Sequence, residues 1–407
     1  MVIRVSKPEF NLREKLTELD HPVGTHGSQI MKSRTISETA NLVGVNRKNL
    51  LINGDFRVNQ RGGTKSYTTN TNGYHMDMWF FHNSTNGTFT SKVSSAAPNP
   101  PEVYHYLELE CTAVDHSLTS GQYASITTNI EGYNFQQSMF GTPNAKPLTL
   151  SFYHRHTVPG VYSGVLRTAA ANFNYVFEYE QSTGDAWEKA VVHIKPEGTQ
   201  AYALGTGKAL SLTFSMGDVT HLNDWVGQWF SHTYAHGSDR QINLFEDTSH
   251  KMRFSAIQLE VGSDATPFEQ RSYNEELALC QRYFWREYGG VYHYEPGPTN
   301  GAGVLGQGQH PVAMRTKPTM SHNCSGNPTG SSLSGNTTVG VWTWYKQNSG
   351  FDSGHSSYQT VANWNFANSE KGIHWNGGSY NFRPSDTSGT TGINLGVNTY
   401  IQATAEL

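Results

Sequence analysis

The sequence predicts an all-β protein: an N-terminal arm with short helices, an antiparallel β-sandwich of jelly-roll type, one connecting helix and a C-terminal β-rich tip domain. Three observations predict it. Apolar residues make up 36% and charged residues 15% of the 407-residue chain, both low for a soluble protein. The 40 glycines and abundant Asn, Ser and Thr in their place make it rich in turns. Aromatics reach 12%, so each core is filled by few but large side chains, a pattern that favours sandwiches and barrels. Short runs of period-two alternation also follow one another with turn signals between them, and no repeat of solenoid length is found.

Residues 1–46 read as an arm. Asn11 caps a short helix bracketed by Pro8 and Pro22, with Leu12, Leu16 and Leu19 on one face. A second piece runs from Ser37 to Leu42, with Gly44 as its stop. Such an arm cannot bury a core and orders by docking elsewhere.

Residues 47–271 read as the sandwich. The strand candidates are Asn49–Asn53, Tyr74–Phe81, Tyr104–Thr112, Tyr123–Ile130, Leu148–His156, Asn174–Glu180, Lys189–Ile194, Ala209–Met216, Gln228–Ala235 and Met252–Val261. Leu148, Leu150 and Phe152 share one face, as do Leu210, Leu212 and Phe214, and Phe254, Ala256 and Ile257 come near the same rule.

One helix, 272–288, follows. Ser272 and Glu275 form a capping box, Gly289 and Gly290 supply the stop, and Tyr273, Leu277, Cys280 and Phe284 make a single seam. That seam either packs on the sandwich or meets its copies at an oligomer interface. Residues 289–407 return to strands, at Val339–Tyr345, Gln359–Phe366, Gly372–Trp375, Ser379–Phe382 and Thr399–Leu407. The Asn-Gly-Gly after Trp375 is a hairpin signal.

Composition excludes several function classes. A net charge of −4 with no basic stripe argues against nucleic acid. No apolar run reaches the length of a membrane span, and MVIRVSKPEF lacks the apolar core of a secretory signal, so the expectation is a soluble chain made in a cytoplasm. Cys111, Cys280 and Cys324 are widely spaced and supply neither a disulfide framework nor a zinc site, which leaves oligomerisation as the source of extra stability.

Several segments resemble virion appendage proteins of tailed bacteriophages. KPEFNLREKLTEL is similar to the N-terminal attachment segments of appendages from marine podophage-like viruses. NLLINGDFRVNQRG, YHMDMWFF and KPLTLSFYHRH resemble the opening of a jelly-roll module of tail and fibre proteins. FSAIQLEVGSDATPFEQRSYNEELALCQRYF resembles its closing strand, loop and helix, and HPVAMRTKPT and IQATAEL its continuation. The resemblance implies a structural fibre or head-fibre protein with a carbohydrate-binding-module-like domain. It implies virion attachment through Phe10, Leu12, Leu16 and Leu19, and homotrimer assembly. It also implies assembly in the host cytoplasm and action outside the cell, at a host-surface glycan. The alternatives are a capsid decoration protein of purely structural role and, further behind, a polysaccharide-degrading tailspike. Within LEVGSDATPFE the strand leaves its sheet at Gly262, Pro267 blocks further pairing and Phe268 plugs the sandwich end, while Asn53 and Gly54 turn beneath Phe56.

Candidate chemistry is sparse. His154 with His156, and His232 with His236, suggest a metal, but exposed sheet positions explain them more simply. Asp218, Asp224, Glu260 and Asp264 lie near strand ends and could hold a structural calcium. No nucleophile elbow, phosphate loop or dinucleotide fingerprint occurs, and the expectation is a protein without catalysis or cofactor. Trp342, Trp344, Trp364, Trp375 and Tyr380 in the tip are the ligand-binding candidates, because sugar C–H faces stack on aromatic rings while neighbouring amides take the hydroxyls. Trp375 leads because it adjoins the predicted turn.

Overall fold

The computed structural model describes residues 47–95, 100–169, 173–218, 225–232, 236–288, 291–292, 294–295, 305–322, 337–347, 359–368, 372–377, 390–394 and 400–407. The arm, with Phe10, Leu12, Leu16 and Leu19, lies outside them, as do Ser379–Phe382, Tyr380 included.

Two antiparallel sheets form the sandwich. The first is six-stranded in the order β1 (Lys65–Tyr67), β4 (Thr88–Ser95), β5 (His105–Ala113), β13 (Lys251–Val261), β7 (Leu148–His154), β10 (Glu188–Ile194). The second is seven-stranded in the order β12 (Trp229–Ser231), β9 (Phe173–Gln181), β8 (Gly160–Thr168), β11 (Lys208–Asp218), β6 (Tyr123–Glu131), β3 (Trp79–Asn83), β2 (Thr71–Tyr74). From β3 onward the chain passes back and forth between the sheets, the winding of a jelly roll. A single-turn helix, α1 (Gly132–Phe135), follows β6.

Aromatic side chains fill the space between the sheets, as the composition implies. Phe214 lies 5.0 Å from Phe152 and 4.8 Å from Phe254, and Trp79 lies 5.0 Å from Phe56, all fully buried. Burying one such ring contributes roughly 2–3 kcal/mol.

His154 and His156 belong to this core and are not exposed sheet positions. Their exposures are 1% and 0%. His154 Nδ1 lies 3.0 Å from Gln181 Oε1, and His156 Nε2 lies 3.1 Å from Tyr179 Oη. Burial holds both imidazoles below their ordinary pKa, so they pack as neutral polar groups.

Asn49–Asn53 is not a strand. Leu50 to Ile52 are buried, and the Leu50 N–H donates to the Leu259 carbonyl at 2.8 Å. The turn that follows docks against β13, where the Ile257 N–H donates to the Gly54 carbonyl at 2.9 Å. There β13 carries a register shift between Ser255 and Gln258, with Ala256 at φ +49°. That bulge is why Phe254 and Ile257 share the core without obeying alternation. The sequence reading also passed over β8, whose two glycines weaken its strand signature. At Gly164 a Cβ would stand 2.4 Å from the Phe177 ring and 2.5 Å from the Thr213 carbonyl, so the glycine marks a close approach.

The predicted helix 272–288 is shorter than expected. α2 (Tyr273–Gln281) starts on Ser272, whose side chain accepts from the Glu275 N–H, and the chain is extended again as β14 (Phe284–Tyr288). β14 pairs with β23 (Tyr400–Thr404), which also pairs with β18 (Thr319–His322). A partner more than a hundred residues away thus overrides local helical capping. The seam faces its own chain: Cys280 and Phe284 are buried, Leu277 packs against the core, and Tyr273 is 53% exposed. Phe268 is only half-buried, and Thr266 is the anchor of that loop, held by Glu260.

The last strand, grouped with the tip by sequence, belongs to the sandwich side. Arg61 bridges Asp77 at 3.1 Å and Glu406 at 2.7 Å, and Arg315 donates to the carbonyls of Ala405 and Glu406 at 2.7 and 2.9 Å. The tip strands are β15 (Val291–Tyr292), β16 (Tyr294–Glu295), β17 (Leu305–Gln309), β19 (Thr337–Gln347), β20 (Gln359–Asn368), β21 (Gly372–Gly377) and β22 (Thr390–Asn394). They form their own seven-stranded sheet.

Candidate functional site on the outer face of the seven-stranded sheet

Alternation in the second sheet turns Trp79, Phe81, Ala124, Ile126, Leu212 and Phe214 to the core, so the residues between them form the outer face. Cross-strand register aligns these into three rungs. One runs Asn129, Ser211, Arg167, Asn174. The next runs Phe80, Thr127, Thr213, Val165, Val176. The third runs His82, Ser125, Ser215.

Half of this face is covered. Val165, Val176 and Phe230 make a small second core with Val226, and Trp225 stacks on Phe230 at 5.2 Å while staying 45% exposed. Gln241 Oε1 accepts from the Ser163 N–H at 2.7 Å and lies 2.9 Å from Ser163 Oγ, which fixes the covering segment over β8. Along β3 and β6 the face is part-exposed at Phe80, Thr127 and Asn129, while the outward Ser211, Thr213 and Ser215 of β11 are buried. The result is a trough with defined ends. At one end Tyr123 is sandwiched between His82 at 4.3 Å and His236 at 3.5 Å. At the other, Asn129 Nδ2 and Tyr74 Oη donate to the main-chain oxygen of Leu407 at 2.9 and 3.0 Å.

The floor is polar and ordered. Thr127 and Thr213 hydroxyls lie 2.9 Å apart, Ser211 Oγ donates to Asn129 Oδ1 at 2.8 Å, and Arg167 Nε donates to Asn174 Oδ1 at 3.1 Å. His82 Nδ1 and Ser215 Oγ are buried with no hydrogen-bond partner among the described residues. Burial, with Arg167, His82 and His232 nearby, pushes His236 down to about 3, so it is neutral at physiological pH. The bordering carboxylates are engaged: Glu178 by Arg240, and Glu131 by Arg282 and Tyr283. Rows of hydroxyl and amide groups on strands about 4.8 Å apart, walled by aromatic rings, match the alternation of hydroxyls and C–H faces on a sugar chain.

The tip tryptophans lie on three strands, Trp342 and Trp344 on β19, Trp364 on β20 and Trp375 on β21. Phe366 and Trp375 are directly paired and Trp364 faces Gly377. Trp342 pairs with Gln359, five residues along β20 from Trp364, or about 17 Å, and Trp344 faces Ile393 on the opposite neighbour. Trp375 is not beside a turn: it is paired on both sides, with Phe366 and with Gly306.

The calcium candidates fare similarly. Asp224 lies outside the described residues, and Asp264 is exposed beside Ser263. Both Glu260 oxygens are taken by Thr266 and Gln258. Asp218 ends β11 opposite Tyr123, and among the described residues no three His, Cys, Asp or Glu converge on a metal position. His232 is exposed while His236 is buried on Tyr123.

Sequence reasoning missed Phe80, Tyr123, Thr127, Asn129, Arg167 and Trp225. Their signal, polar residues alternating with apolar ones in YASITTNIE, is that of any solvent face; only the register across β3, β6, β11 and β8 makes it a site.

No family model and no curated protein sequence matches the chain. Among solved structures it is similar to the enzymatically active domain of tailspike protein 4 of bacteriophage CBA120, at 10% identity and TM-score 0.27 over 52% of this chain and 21% of that one. It therefore spans about a fifth of that protein. A family 11 carbohydrate-binding module of Clostridium thermocellum aligns at 12% identity and TM-score 0.26, over 49% of this chain and 96% of that one. The carbohydrate-binding and catalytic modules of xylanase 10B from the same organism align at 10% identity and TM-score 0.27, over 54% of this chain and 30% of that one. At these TM-scores the similarities assign the chain to none of those groups.

Proposed function

We propose that this chain is a non-enzymatic, glycan-binding appendage protein of a tailed-phage virion, anchored by residues 1–46 and holding a host-surface saccharide in the trough along β3 and β6. The observation that carries the binding function is the three-rung array of hydroxyl, amide and aromatic side chains, half-open and closed at both ends. The virion role rests on the sequence resemblance of the arm and of the sandwich-closing segment. Self-association into a trimer is part of the proposal. Because Cys280 and Phe284 pack inward, it uses surfaces other than the helical seam.

Filling the trough tests the binding role. Thr127→Trp should abolish adsorption of the protein to host cells or host polysaccharide while the melting temperature changes by only a few degrees, since the residue is half-exposed. Unchanged adsorption would remove the trough as the binding surface. Loss of virion incorporation on deleting residues 1–46, with the sandwich still folded, would support the anchoring role; normal incorporation would end it.

A further inference from the structure

We propose that the outer face of the six-stranded sheet carries a second saccharide site, separate from the trough, which takes an uncharged sugar against Trp187 and Tyr106. Alternation turns Leu107, Phe152 and Phe254 to the core, so Tyr106, Tyr153 and Ser255 face outward. Register sets Lys189 opposite Tyr153 and Tyr153 opposite Ser255, and the pairing of Phe254 with Leu107 carries the same row on to Tyr106. Tyr106 and Tyr153 therefore stand two strands apart, about 10 Å. A tightly held loop brings Trp187 onto this row. Asp185, at φ +60°, bridges Arg155 at 2.9 Å and Arg253 at 2.6 Å, and its N–H donates to the His156 carbonyl at 2.7 Å. Glu188 accepts from the N–H groups of Ser182 and Thr183 at 2.9 and 2.7 Å. The indole comes to rest 5.6 Å from the Tyr106 ring, edge to face, and both rings stay part-exposed.

Hydrogen-bonding groups stand beside the rings. Lys189 Nζ lies 3.3 Å from Glu102 Oε2 and 5.3 Å from the centre of the Tyr153 ring, and both charged side chains reach solvent. An ammonium and a carboxylate at this separation offer a donor and an acceptor together, which two neighbouring sugar hydroxyls need, while the C–H face of the sugar lies on the aromatic rings. Charge selects the class of sugar. Across this face the ionic groups are matched to one another: Lys92 to Glu108 at 2.8 Å, Lys251 to Glu110 at 2.9 Å, Arg253 to Glu108 and Asp185, and Lys189 to Glu102. An ionic ligand would have to break one of these pairs, whereas a neutral sugar leaves them intact.

The test is calorimetry on the whole chain carrying Thr127→Trp, which fills the trough, with cellohexaose, laminarihexaose and mannohexaose as probes. At least one should bind, with an affinity that changes less than about twofold between about 50 and 300 mM salt. Adding Trp187→Ala should weaken that binding by about tenfold or more. Tyr106→Ala serves as the second variant should the first unfold, and Lys189→Met should also weaken binding, a loss that ring contact alone would not produce. Binding of none of the three sugars, or binding indifferent to Trp187→Ala and Tyr106→Ala, would overturn the site. So would loss of self-association by light scattering with sugar binding unchanged, which would make this face a subunit contact. Host-polysaccharide binding by the parent chain that Thr127→Trp blocks would, in each of those cases, leave the trough reading standing.

Discussion

Asn53 is the residue on which the resemblance motif NGDF turns, and its replacement has a calculable cost. Its side chain is completely buried. Nδ2 donates to the carbonyls of Val58 and Asp77 at 2.8 and 3.0 Å, and Oδ1 accepts from the Val58 N–H at 3.0 Å. Asn53→Ala leaves three buried main-chain groups unpartnered, each worth about 1 kcal/mol at the low end. Asn53 also sits at φ +57°, where alanine costs about a further 1 kcal/mol. The expected loss is about 4 kcal/mol, a large share of a stability of roughly 5–15 kcal/mol. Asn53→Gly loses the same bonds without the conformational cost and should fall about 1 kcal/mol short of the alanine variant. Urea unfolding followed by tryptophan fluorescence suits the measurement, because Trp79 Nε1 donates to the Asn53 carbonyl at 3.0 Å and reports on the turn directly. An alanine variant within 1 kcal/mol of the parent, or one more stable than the glycine variant, would refute the reasoning.

Other outcomes follow from the junction and the core. Burial lifts the Asp77 carboxyl to about 6 and the Glu406 carboxyl to about 7 against the pull of Arg61. A carboxyl raised on folding contributes stability that is complete below its unfolded pKa, about 4.5, and lost as pH rises through about 7. Glu406→Gln should therefore gain melting temperature relative to the parent at pH 8 and not at pH 4; a parallel offset at both would contradict this. Replacing residues 323–399 by a short Gly-Ser linker should leave the sandwich folded, whereas removing 400–407 should destabilise it, because Ala403 and Ala405 are buried and Arg61 and Arg315 bind that segment. Differential scanning calorimetry distinguishes the two. Added EDTA should not shift the melting temperature, since Glu260 is satisfied by Thr266 and Gln258. Cys111 and Cys280, both buried with thiols pushed up by desolvation, should resist alkylation until urea is added.

Strands that alternate cleanly were legible from sequence: β6, β7, β9, β10 and β11 fall within a residue or two of the expected bounds, or run slightly longer, because their core faces repeat apolar or aromatic side chains at every second position. Where a distant partner decides, the sequence was silent. Nothing near Phe284 announces that Thr404 will pair with it, and nothing in GVYSGVLRT announces that Gly164 makes room for Phe177. The candidate trough failed to show for a related reason. Aromatic density in the tip attracted attention, while the trough is assembled from Thr, Ser and Asn on four strands from separate parts of the chain. Each of them is ordinary alone.

The pairing of Tyr288 with Tyr400 has one more consequence. Everything between them leaves and re-enters the protein at two residues held opposite each other, so the whole intervening segment is topologically the loop of one hairpin. The same is true of the shorter stretch between His322 and Ile401. Once the ends of a loop are pinned, its length enters the free energy only logarithmically, and doubling it costs about 0.6 kcal/mol. The base of the molecule is therefore nearly indifferent to what is spliced between His322 and Ile401. A lineage could exchange that shorter cassette by recombination, with Arg61 and Arg315, which lie outside it, still clasping the last strand.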